Sequence, residues 1–402
     1  MGTPIDIMKY LGEPSATYTT GDGSVLRSYQ GKDLGELQTL CRLLESQGWE
    51  CVSRYGKSGS EFATYKKGNE LYHFYIPADR ADRLRVAYSD HANLPEEPTT
   101  TTGSYETAVV QLKLPLTDAN IWSNGMGYVV RLADGSFLIF DGGYAEQADQ
   151  LWQTLVKLHG SEDGIIVRAW CLTHAHGDHY TDLIEFSRRY AARVTVERFL
   201  AVPVNAADAA DGFFNKGLPD VVSWYSGAVL TVPHTGMVFR FCNLTLEILY
   251  TPDEHLVDGK PANLDFNSTG TVYRLSGDGD SMLFLGDVMN DVTTRLTAIW
   301  DEAIRSNLVQ VSHHGVGNSP AAFYRFLNPT VLFYPAGHLL YYGYHNDFGK
   351  SDGSAFGNNW NRNGEVRKEL HESGLYEILL HDETAYLRIW GSKAPAQAFE
   401  VD

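Results

Sequence analysis

Residues 172–180 read LTHAHGDHY, an apolar run that ends in six positions holding His174, His176, Asp178 and His179. Neutral imidazole nitrogen and carboxylate oxygen are the donors that zinc, iron and manganese accept, at roughly 2.0–2.2 Å. Any one of these residues alone reads as a structural or surface group. A packed core seldom needs all four in so short a span, so together they predict a metal-binding segment. Alternation along an extended strand end puts His174 and His176 on one side. Gly177 permits a tight turn that aims Asp178 and His179 at an adjacent point. Two neighbouring metal ions fit this arrangement; zinc is the expected metal, and the donor set leaves iron and manganese open.

THAHGDH matches an HxHxDH signature, and over roughly residues 105–390 the chain resembles the metallo-β-lactamase superfamily. Four further landmarks stand in that family's order: FDGG (140–143), LYTPDEH (249–255), FLGDV (284–288) and VSHHG (311–315). Each alone is a common strand end or turn, and their joint order carries the resemblance. It implies an αββα sandwich with one or two metals at its edge. His174 and His176 would then bind the first metal, Asp178 and His179 the second, and Asp287 would bridge both, with Asp141 buttressing the metal loop. The pair His313–His314 resembles a branch that includes bacterial phosphorylcholine esterases and the hydrolase domain of DNA-uptake competence proteins. By that similarity His314 completes the second metal and His313 faces the substrate, with the reverse assignment open. The third ligand of the first metal is His255, Asp253, Glu254 or water. His234, in TVPHTG, reads as a loop residue.

Two metals about 3.5–4 Å apart lower the pKa of a bridging water and clamp the attacked group. The expected nucleophile is hydroxide, with Asp178, Asp287 and His313 as the catalytic side chains. No GxSxG elbow competes for the role. His176 stands where members carrying di-iron for oxygen or nitric oxide reduction resemble HxExD, which favours hydrolysis over redox chemistry. The HHG motif tilts the substrate toward a small phosphate ester or phosphodiester, because a histidine beside the metals offsets charge on phosphoryl oxygens; this rests on analogy. The rival readings are a lactone, thioester or amide hydrolase on the same site, and a catalytically silent metal-binding protein.

The elements that must position these groups show two regimes. Residues 1–95 read as a small α+β domain: 31–49 has helical apolar spacing at Leu34, Leu37, Leu40, Leu43 and Leu44, and WECVSRY, SEFATYKK, ELYHFYI and DRLRVAYS follow as strand-like runs. Residues 96–104 have the composition of a linker. From 105 to 402, strands alternate with helices over 145–160, 181–192 and 291–307, the order of two mixed sheets covered by helices. Two stretches look like insertions. One, 205–227, suits a lid or an oligomer contact. The other, 338–363, is rich in Tyr, Gly and Asn, and its His338, Tyr341, Tyr344, His345 and Trp360 are candidate pocket residues whose aromatic faces suit a quaternary ammonium.

The chain has 402 residues and a formal net charge of -18, from 32 basic and 50 acidic side chains. That field repels polyanions, so the expected partner is a small molecule and nucleic acid is disfavoured. Residues 1–10, MGTPIDIMKY, lack a basic start followed by an apolar stretch, and no window approaches the roughly 18 apolar residues of a membrane span. The expectation is a cytoplasmic protein without membrane association, and homo-oligomerisation stays open. Cys41, Cys51, Cys171 and Cys242 form no CxxC pair and read as buried free thiols.

Overall fold

The computed structural model describes residues 7–92, 94–95, 102–114, 124–204, 213–258, 266–315, 319–337, 377–380 and 383–401. Among these residues the strands form three sheets. Two of them face each other. One runs from Val229–Thr231 through Arg198–Leu200, Ile166–Cys171, Phe137–Asp141, Gly127–Arg131 and Ala108–Gln111 to Tyr386–Ile389 and Gln397–Ala398, with Thr195–Val196 also paired to Ile166–Cys171. The other runs from Val238–Phe241 through Leu244–Tyr250, Val272–Gly277, Asp280–Phe284, Leu308–Gln310 and Val331–Tyr334 to Glu377–Leu380.

Alternation along these strands dictates the layers, since successive side chains point to opposite faces. Tyr128, Val130, Leu138 and Phe140 of the first sheet share one buried cluster with Leu246, Tyr273, Phe284 and Phe333 of the second. The intervening residues Val129, Ile139 and Trp170 pack instead on helices Ala148–His159 and Gly177–Tyr190. On the far side, Leu249, Leu283 and Val309 pack on helices Asn290–Trp300 and Ala321–Leu327. The result is the αββα sandwich, with apolar burial on both faces of both sheets as its main source of stability.

The third sheet spans residues 16–89 in the order Ala16–Thr19, Val25–Gln30, Arg83–Ser89, Glu70–Ile76, Ser60–Lys67, Glu50–Lys57, with every neighbouring pair antiparallel. The first two of these strands are additions to the four strand-like runs read from the sequence. Helix Leu34–Ser46 opens with an Asp33–Glu36 capping box and covers one face through Leu37, Leu40, Cys41 and Leu44. Leu34 lies outside that stripe and is exposed.

The opposite face of this sheet docks on the sandwich. The Phe62 ring stacks on Trp300 at 5.0 Å, Ser60 Oγ donates to the Ile299 carbonyl at 3.0 Å, and His73 Nε2 contacts the Thr235 carbonyl at 2.8 Å. Gly236 has φ +91 and lies under Phe62, where a Cβ would overlap the ring. The four cysteines are free thiols, but Cys51 is exposed rather than buried because it stands on the edge strand Glu50–Lys57. No described helix is long and apolar enough to cross a membrane.

Candidate metal centre

Strands Phe137–Asp141 and Ile166–Cys171 run parallel with Phe140 opposite Cys171, so they end together and deliver Asp141 and residues 172–176 to one edge of the sandwich. Asp141 adopts a left-handed backbone with φ 53. Its carboxylate accepts from the Thr173 amide, the Thr173 hydroxyl and His179 Nδ1, each at 2.7 Å. Those contacts tie the two ends of the histidine segment to one buried anion.

The tight turn expected at Gly177 is replaced by a helix start. Gly177 is the first residue of helix Gly177–Tyr190, His176 is its extended N-cap, and Asp178 and His179 lie in the first turn. The positive end of the helix dipole therefore faces the Asp178 carboxylate.

The second sheet supplies the facing groups. Asp287 follows strand Asp280–Phe284 through Gly286, whose φ of 55 and close approach to Thr173 leave no room for a side chain, since a Cβ there would come within 2.8 Å of the Thr173 Cβ. Gln310 fixes this turn by accepting from the Leu285 amide at 2.7 Å and donating to the Gly286 carbonyl at 3.0 Å. After strand Leu308–Gln310 the chain places His313 and His314 in left-handed conformations, φ 50 and 52, a strained arrangement typical of functional turns. His314 Nδ1 donates to the Pro335 carbonyl at 2.8 Å, which turns its Nε2 inward.

Two donor groups result. Asp178, His179, Asp287 and His314 form one, and His174, His176 and Asp287 the other; within each, one ligand atom per residue lies within 4.8 Å of the rest. His314 Nε2 is 3.0 Å from Asp178 Oδ2 and 3.3 Å from Asp287 Oδ2, and His179 Nε2 is 3.3 Å from Asp287 Oδ1. His174 Nε2 is 3.7 Å from Asp287 Oδ2 and 3.0 Å from His176 Nδ1.

The electrostatics are those of a buried cluster. Burial works against a charged His314, but Asp287 and Asp178 more than offset it and push its pKa up to about 10. His179 is raised for the same reason against the same burial penalty. Burial opposes ionisation of Asp178 and Asp287, yet the facing histidines hold both carboxyls below the usual range. His174 goes the other way, lowered by burial and by His179 beside it.

The expected residues do not all converge. His313 stands at the rim, its side chain 23% exposed, with Nε2 3.9 Å from Asp287 Oδ2 and 3.4 Å from the Asn267 amide nitrogen. His255 belongs to neither donor group: it lies on helix Asp253–Asp258 with Nε2 3.7 Å from Asp291 Oδ2. Asp253 is buried and paired with His234 Nδ1 at 2.8 Å; His234 lies, as expected, in a loop, between strands Val229–Thr231 and Val238–Phe241, and is buried there. The Glu254 side chain and the candidate pocket residues His338, Tyr341, Tyr344, His345 and Trp360 lie outside the described residues.

Two residues at the centre escaped sequence reasoning. Asn124 Nδ2 donates to Asp178 Oδ2 at 2.6 Å, and the Tyr144 hydroxyl donates to Asn124 Oδ1 at 3.1 Å. The only cue in the sequence is that Tyr144 directly follows FDGG.

Residues 121–312 match the family model of the metallo-beta-lactamase superfamily. The chain carries a metallo-beta-lactamase superfamily domain. No curated protein matches the chain by sequence. Among solved structures, it is similar to the metallo-beta-lactamase fold protein YhfI from Bacillus subtilis, at 12% identity and a TM-score of 0.42 over 70% of this chain and 100% of that one. It is similar to the diiron beta-hydroxylase CmlA from Streptomyces venezuelae, at 14% identity and a TM-score of 0.42 over 73% and 55% of the two chains. It is also similar to Zn(2+)-bound PqqB from Methylobacterium extorquens, at 11% identity and a TM-score of 0.36 over 69% and 99%.

The side chains of the metallo-beta-lactamase domain fit a divalent metal. His179 Nε2, His314 Nε2 and Asp287 Oδ1 are buried and converge with Asp178, at N···O distances of 3.0 Å and 3.3 Å within the cluster. Imidazole nitrogen with carboxylate oxygen is a donor set that zinc, iron and manganese accept.

Proposed function

We propose that this chain is a divalent-metal-dependent hydrolase of a small phosphate ester or phosphodiester. The observation that carries the reading is the sharing of one carboxylate, Asp287, by two His/Asp groups at the edge of the sandwich. A bound pair of divalent ions, zinc by expectation, supplies an activated water and a Lewis acid for the attacked oxygen. Asp178, His179 and His314 would hold one ion, His174 and His176 the other, and Asp287 both. Asp141 and the Pro335 carbonyl orient the imidazoles, and Asn124 orients Asp178.

His313 is the rim residue beside this centre. Its role is to donate a hydrogen bond to an oxygen of the attacked phosphoryl group as negative charge develops there. His176, where redox members carry a glutamate by resemblance, favours hydrolysis. The net charge of -18 favours a small substrate over a polyanion.

The test is turnover on bis-p-nitrophenyl phosphate, p-nitrophenyl phosphorylcholine, a lactone and nitrocefin, with and without chelator. Cleavage of the phosphate esters that chelation abolishes, with kcat reduced in His313→Ala, is expected. Cleavage confined to the lactone or nitrocefin contradicts the phosphate reading.

A further inference from the structure

The two donor groups that meet at Asp287 are unequal. The first has four donors, all buried: Asp178, His179, Asp287 and His314. Both of its imidazoles are already oriented, His179 by Asp141 at 2.7 Å and His314 by the Pro335 carbonyl at 2.8 Å, so Nε2 of each points inward. Orientation of this kind raises metal affinity, because the ligand loses little freedom on binding.

The second group has three donors, and one of them, Asp287, is shared with the first. His176 is only partly buried, whereas every donor of the first group is buried. Closed four-donor sites are the tight ones, whereas three-donor sites leave a position to water or substrate.

The fold explains why the third-motif histidine does not complete this group. Helix Asp253–Asp258 turns Leu256 and Val257 into a buried cluster with Tyr18, Leu26 and Ala87 of the N-terminal sheet. At its first residue, Asp253 is held by His234 at 2.8 Å, and the next residue along, Thr235, is held in turn through its carbonyl by His73 of that sheet at 2.8 Å. The sheet thus clamps the helix, and His255 faces Asp291 instead of joining His174 and His176.

We infer that this chain holds one divalent cation tightly at Asp178–His179–Asp287–His314 and a second one weakly and exchangeably at His174–His176–Asp287. The inference rests on the metal-centre reading above and concerns how the chain's own residues divide between the two positions.

The experiment is a Zn2+ titration of the full chain, stripped by dialysis against chelator, in competition with a chromophoric chelator. Two steps are expected, the first ion bound at least about tenfold more tightly than the second, the scale on which ligand orientation alone changes affinity. His176→Ala, chosen because a partly exposed side chain tolerates truncation, removes the second step and leaves the first. His255→Ala alters neither. Two ions of equal affinity, a step weakened in His255→Ala, or loss of both ions in His176→Ala each overturn the inference while leaving the centre a metal site. Failure of the wild type to bind any zinc overturns the inference and the proposed function together.

Discussion

Asp182 lies one turn beyond Asp178 on helix Gly177–Tyr190, fully buried, and neither carboxylate oxygen has a hydrogen-bond partner among the described residues. It packs against Gly142, where a Cβ would come within 3.0 Å of Asp182 Oδ2. Burial pushes this carboxyl well above its ordinary value of 3.8; Arg189 pulls it down, but Asp149 and Glu185 add to the rise. The folded chain therefore keeps a proton that the unfolded chain releases. Below the ordinary value both states are protonated and the stability is fully present; it is lost as pH rises toward the folded value. Each pH unit inside that window removes about 1.4 kcal/mol. Asp182→Asn has nearly the same shape and cannot ionise. Urea unfolding of both proteins, in chelator at pH 4, 5, 6 and 7, should show the variant gaining on the wild type as pH rises. A stability gap that stays constant across this range, or one that moves in the wild type's favour, refutes the reasoning.

Other substitutions probe the supports of the site and of the fold. Asp141→Ala leaves the Thr173 amide and His179 Nδ1 without their acceptor, and zinc affinity measured by equilibrium dialysis should fall by about 10- to 100-fold; unchanged affinity would count against its orienting role. Gly315→Ala puts a Cβ into the Tyr334 hydroxyl at a φ of +74, so chemical denaturation should show a loss of about 2 kcal/mol or more, and wild-type stability would contradict that geometry. Phe62→Ala removes a fully buried ring stacked on Trp300 and should cost about 3–5 kcal/mol in the same assay; a neutral effect would mean that the N-terminal sheet does not dock there.

What the sequence made legible follows the range of the interactions involved. His174, His176, Asp178 and His179 are local: a strand end and one helical turn bring them together, so their spacing announces them. The strands of the sandwich are legible because alternation and apolar runs report burial directly, as in Phe137–Asp141. The helix start at Gly177 was missed because His176, its N-cap, provides no side-chain cap and reads like a loop residue. The placement of His255 was not legible at all. It is decided by Leu256 and Val257 packing on Tyr18, Leu26 and Ala87, contacts far apart in sequence that no local pattern encodes. Asn124 and Tyr144 belong to the same class, since only the fold brings an ordinary asparagine and tyrosine to Asp178. Strands Ala16–Thr19 and Val25–Gln30 were missed for a third reason: they are short, polar and split by TGDGS, so they lack an apolar run.

The most direct test is elemental analysis of the purified full chain beside Asp287→Ala, with circular dichroism confirming that both are folded. The wild type should carry a first-row divalent metal, and the variant, having lost the carboxylate common to both donor groups, should be depleted of it. A folded variant that retains the wild-type metal content would show that these histidines and aspartates are not the metal centre.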